Sequence, residues 1–149
     1  MERRTIAAAR AGRAERGASL VETVVVLAVA GILVGTAWPR AADLLDTVAL
    51  RSAAVQFASA LARGRTAALS EGRAWRLRLD GATRFVLAPL GGDASAEPLP
   101  GRTFFASATS GGDVRFFPSG LAENATFTLG VGDARRRVVL NQRGRVTVE

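Results

Sequence analysis

The chain has 149 residues, the size of one ordinary domain, and 48% hydrophobic with 22% charged residues makes it neither disordered nor collagen-like. It holds no Cys, His or Tyr, which together removes disulfide frameworks, thiolate and imidazole metal sites, and Ser-His-Asp or Cys-His nucleophilic centres. The net charge is +7, every one of the 20 basic residues is Arg, and the excess is concentrated at the amino terminus.

Residues 1–17 carry Arg3, Arg4, Arg10, Arg13 and Arg16 against only Glu2 and Glu15. From Leu20 to Trp38 the chain is apolar, small or neutral except at Glu22. That run approaches the ~20 residues a helix needs to cross ~30 Å of hydrocarbon. The basic flank places residues 1–17 in the cytoplasm and everything after Arg40 across the membrane. The small residues Gly17-Ala18-Ser19 precede the apolar run rather than follow it, unlike a secretory signal. Cleavage there would remove the basic leader and keep the helix. An uncleaved anchor accounts for the charge and the apolar run equally well, with Glu22 reaching headgroups. The alternative is pairing: a new α-ammonium on Ala18, one helical turn away, neutralises the Glu22 carboxylate of the same or a neighbouring subunit.

Gly17-Ala18-Ser19-Leu20-Val21-Glu22 resembles the processing signature of the type IV prepilin family, and Pro39 falls where many pilins bend their helix. The resemblance implies cleavage between Gly17 and Ala18 by a prepilin peptidase and N-methylation of Ala18 by the same enzyme. It also implies residence in bacterial inner-membrane lipid and assembly with other pilins or pseudopilins, with Glu22 and Pro39 as assembly residues. Ala18 departs from the pattern, since Phe or Met is usual there.

After Pro39 an amphipathic helix is expected, with Leu50, Ala54, Phe57, Leu61 and Ala68 on its packing face and a stop near Glu71-Gly72. Helix from Leu20 to Glu71 would span about 75 Å. Trp75–Asp80 alternates with a period of two, and Asp80-Gly81 turns the chain into Arg84–Leu87. Leu90–Pro100 is expected as an exposed loop. Further strands are expected at Thr103–Ala106, Val114–Phe117, Thr126–Leu129, Arg137–Leu140 and Arg145–Val148. Pro118-Ser119-Gly120, Gly130–Asp133 and Asn141–Gly144 separate the last four. The order of Phe116-Phe117-Pro118-Ser119-Gly120, Phe127-Thr128-Leu129, Arg137-Val138-Val139-Leu140 and Gly144-Arg145-Val146 resembles that of H-type pseudopilins, the GspH/FimT group.

The expected fold is therefore α+β and pilin-like: one long amino-terminal helix, transmembrane in its first half, packed on a small antiparallel β domain. The expected segments are a leader (1–17), a membrane and assembly helix (18–40), its amphipathic continuation (41–72) and a periplasmic β domain (73–149). The function implied is that of a minor pseudopilin of a type II secretion system. The alternative is a FimT-like minor pilin that binds DNA or primes pilus assembly. For the DNA reading, Arg135, Arg136, Arg137, Arg143 and Arg145 are the candidate phosphate contacts. The Gly-Arg-x-Arg element of some pilus members is incomplete here, as Gly144-Arg145-Val146-Thr147, and a solvated basic edge that discourages strand aggregation outweighs it. The carboxylates Asp80, Asp93, Asp113 and Glu123 show no catalytic or calcium-ligand spacing. No catalytic residue, metal, cofactor or small-molecule substrate is expected.

Overall fold

The computed structural model describes residues 20–149, apart from the side chains of residues 36–42. The leader and the expected cleavage site, Gly17 and Ala18, lie outside the described residues. The chain divides into two compact units, Met1–Pro39 and Arg40–Glu149. One helix, α1, covers Leu20–Glu71 and is helical through Pro39. In the first unit its side chains from Leu20 to Gly35 are all exposed.

In the second unit α1 is held by its apolar stripe. Leu50, Ala54, Phe57, Leu61 and Ala68 are buried, and Ala53 and Ala60 fill the turns between them. Asp43–Glu71 is long and apolar enough to cross a membrane by length and composition alone. Its buried stripe is instead taken up by the β domain, as in any core helix. The helix stops at Glu71 because Gly72 takes a φ of 65°, a left-handed cap that costs glycine little.

Eight strands follow: β1 (Trp75–Asp80), β2 (Arg84–Pro89), β3 (Glu97–Pro98), β4 (Phe104–Ala108), β5 (Asp113–Phe116), β6 (Ala125–Val131), β7 (Ala134–Leu140) and β8 (Val146–Val148). They form two antiparallel sheets ordered β3-β2-β1-β5 and β4-β6-β7-β8. Period-two alternation sends Leu77, Phe85, Val114 and Phe116 of the first sheet, and Phe105, Phe127, Leu129, Val138 and Leu140 of the second, into one core with α1. Phe57 joins the three layers. Its ring lies 5.3 Å from Phe85, 5.0 Å from Phe105 and 4.8 Å from Phe127, all edge-on. Gly64 lets the helix approach most closely: a Cβ there would lie 2.8 Å from Phe116 Cε2 and 2.9 Å from Leu87 Cδ1.

Two expectations are corrected. The segment 90–100 is not simply an exposed loop. Glu97 and Pro98 pair with Phe85 and Arg84, and Leu99 is buried. Helix side chains fasten it: Arg63 donates to both Glu97 carboxylate oxygens at 2.8 Å, and Gln56 Nε2 donates to the Pro98 carbonyl at 3.2 Å. Gly130 and Val131 belong to β6 rather than to the turn, because Gly130 pairs with both Phe104 and Arg135 and Val131 is buried.

Candidate assembly surface and basic edge

Helical geometry advances about 100° per residue, so a helix whose stripe at 50, 54, 57, 61 and 68 is buried turns 44, 48 and 55 to the opposite side. Those positions are not polar. Leu44, Val48 and Val55 are 68%, 65% and 55% exposed, with Leu45 beside them. A domain helix ordinarily puts charge there. Here the sequence places branched aliphatic side chains on both faces, and among the described residues only one face is covered. Fully burying such a side chain is worth roughly 1.5–3 kcal/mol, so the uncovered stripe favours association. In the first unit, Glu22 stands in the first turn of α1 among exposed valines and leucines, where the helix dipole favours an acid.

The five candidate arginines do not converge. Arg135 Nη1 donates to the carbonyls of Gly132 at 2.6 Å and Ala134 at 2.8 Å, and its guanidinium lies 5.4 Å from the centre of the Phe104 ring. It reaches Phe104 across Gly130, which has no side chain to block it. Arg137 pairs with Glu149 at 2.9 Å. Arg136 alternates with these two, on the side of β7 that carries Val138 and Leu140. Arg143 and Arg145 are exposed in the turn beyond the other end of β7, roughly 20 Å of strand from Arg135. Asn141 shapes that turn: its Oδ1 accepts the N–H groups of Arg143 at 3.0 Å and Arg145 at 2.9 Å. Gly144 completes it with φ 69°, its bare Cα making room for the Arg65 side chain, whose Nε donates to the Gly120 carbonyl at 3.1 Å.

The carboxylates considered for chemistry are mostly engaged by arginine. Asp80 meets Arg84 at 3.0 Å, Glu123 meets Arg115 at 2.7 Å, and Asp113 lies 3.6 Å from Arg76.

The family model described as "Type II transport protein GspH" matches residues 53–144, more than half of the chain. The chain belongs to the GspH family. Among solved structures, this GspH protein is similar to the type IV minor pilin FimU of Pseudomonas aeruginosa, with 19% identity and a TM-score of 0.58 over 67% of this chain and 87% of that one. It is also similar to the minor pseudopilin EpsH of the type 2 secretion system of Vibrio cholerae, with 14% identity and a TM-score of 0.55 over 67% of this chain and 95% of that one. At these identities the likeness establishes a pilin-like fold, a long helix packed on a small β domain. No curated protein matches the GspH chain significantly by sequence. The outward stripe at Leu44, Val48 and Val55 is a feature the structure adds, and its i, i+4, i+11 spacing is the signal for it in the sequence.

Proposed function

We propose that this GspH-family protein is a minor pseudopilin of a type II secretion system. A prepilin peptidase cleaves it between Gly17 and Ala18 and methylates Ala18. Residues 18–40 hold it in the bacterial inner membrane with the β domain in the periplasm, and α1 carries it into a pseudopilus. The observation that carries this reading is α1 itself, which exposes Leu20–Gly35 in the first unit and the Leu44, Val48 and Val55 stripe in the second. Both are solvent-exposed among the described residues, and neighbouring pilin helices are the natural cover. Glu22 sets the register by pairing with a freed α-ammonium in low dielectric.

The test is mass spectrometry of the protein purified from its native host. The expected species begins at Ala18 and carries one N-methyl group. A species retaining residues 1–17 would overturn the processing step, leaving a tethered periplasmic domain. Glu22→Ala should preserve insertion and cleavage while reducing incorporation into filaments, and normal incorporation would remove the pairing mechanism.

The second reading, a DNA-binding minor pilin, is favoured by one observation: Arg143 and Arg145 are exposed on a turn whose backbone is fixed by Asn141. Salt-dependent DNA binding that is lost in Arg143→Gln/Arg145→Gln would support it.

A further inference from the structure

Val86 and Ala88 alternate along β2 with Phe85 and Leu87, which face the core, so they lie on the side of the first sheet turned away from α1. They stand outside the core cluster, yet they are only 6% and 5% exposed. Strand register explains part of this: Arg78 stands opposite Val86 and Arg76 opposite Ala88, so the aliphatic stems of two arginines flank the pair. On the other side the chain folds back after β2. The Gly92 N–H donates to the Pro89 carbonyl at 2.9 Å, and Gly91 takes a φ of 83°. Between stems and turn lies a hollow of about 230 Å³ lined by Arg76, Arg78, Val86, Ala88, Gly92 and Asp93.

Neither guanidinium group is held by a carboxylate at hydrogen-bond distance. Arg76 Nε lies 3.6 Å from Asp113 Oδ1, beyond hydrogen-bond reach. Arg78 is exposed and makes no ion pair or side-chain hydrogen bond among the described residues. This contrasts with Arg63, Arg84, Arg102 and Arg115, each held by a carboxylate at 3.1 Å or less.

We propose that this hollow binds the carboxylate side chain of an acidic, extended segment of a partner protein. Two adjacent guanidinium forks match a carboxylate in geometry and charge. The small aliphatic floor of Val86 and Ala88 takes the methylenes that precede the carboxylate. The volume holds roughly one amino-acid residue, and the bare main chain at Gly91 and Gly92 leaves the backbone of an extended peptide free to pass. No aromatic ring among the described residues lines the hollow for base stacking, which disfavours a single-stranded nucleic acid. The site lies on the opposite side of the sheet from α1, so its failure and the failure of the assembly reading are separable.

The test is a titration of the full-length protein, 15N-labelled in detergent micelles, with the capped peptide acetyl-Ala-Val-Glu-Val-Ala-amide and with its Gln counterpart. Saturable amide shifts are expected at Arg76, Arg78, Gly91 and Gly92 with the Glu peptide, and at least tenfold weaker binding of the Gln peptide (about tenfold per charge-assisted contact). Arg78→Gln should lower the affinity about tenfold with the rest of the spectrum unchanged. Arg143→Gln, at a different edge, should leave it intact. The proposal is overturned if these amides do not move up to about 10 mM peptide, a level that would reveal millimolar binding. It is equally overturned if the two peptides behave alike, or if a single-stranded oligonucleotide shifts these amides more strongly than the Glu peptide.

Discussion

Gly64→Ala sets two opposing effects against each other at one atom. In a helix interior, Ala is favoured over Gly by about 0.8–1.0 kcal/mol, so propensity alone predicts stabilisation. Gly64 is not in open space, however. The new methyl group would lie 2.8 and 2.9 Å from two carbons of the Phe116 ring and 2.9 Å from Leu87 Cδ1. Phe116 is fully buried and has nowhere to retreat, whereas Leu87, only partly buried, can change rotamer. Overpacking of this kind costs typically 1–3 kcal/mol, and with the ring unable to yield the upper half of that range applies. The net expectation is a loss of about 1–2 kcal/mol. Urea unfolding followed by circular dichroism, with an unchanged m value, measures it. Ser52→Ala, on the exposed side of the same helix, supplies the propensity effect without the contact and should be neutral or slightly stabilising. In a Phe116→Leu background, which removes the ring that cannot yield, the cost of Gly64→Ala should shrink by about 0.5 kcal/mol or more, a coupling that only physical contact produces. A stabilising Gly64→Ala, or the same loss in both backgrounds, would refute the close approach of helix and sheet.

Arg135→Ala should destabilise the fold by about 1 kcal/mol through the lost Phe104 and turn contacts, whereas Arg143→Ala should stay within about 0.5 kcal/mol of the parent. Equal effects in thermal unfolding would mean that Arg135 is a free surface charge after all. Gly144→Ala should cost about 2 kcal/mol, because alanine at φ 69° is strained and its methyl would meet the Arg65 side chain. Adding Arg65→Ala should recover the steric part but not the backbone part, and full recovery in denaturant melts would contradict the conformational argument.

What the sequence revealed depended on how local the cause was. The end of α1 was legible because a single glycine, Gly72, ends it, and β1 because Trp75, Leu77 and Leu79 alternate with charged residues. Strand β3 was not legible. Glu97 and Pro98 are fixed by Arg63 and Gln56, which lie 34 and 42 residues earlier in the chain. Nothing local distinguishes that segment from a loop. Gly130 looked like a turn residue, yet its bareness serves Arg135 on its way to Phe104, a cross-strand arrangement that becomes visible only once β4, β6 and β7 are in register. The basic residues Arg135–Arg137, adjacent in sequence, are distributed by the strand period to both sides of β7, and Arg143 and Arg145 fall at its far end. The outward stripe was legible in principle, but the stripe at Leu50, Phe57 and Leu61 was the stronger signal of the same period, and a helix with two apolar faces satisfies both.

The most direct test of assembly through α1 is a photo-crosslinking amino acid placed at Val48 in cells that carry the native assembly machinery, with Thr147 on β8 as the comparison site. The outward stripe predicts covalent adducts from Val48 to other pilin or pseudopilin subunits, identified by mass spectrometry, and few or none from Thr147. Subunit adducts from Thr147 with none from Val48 would contradict it.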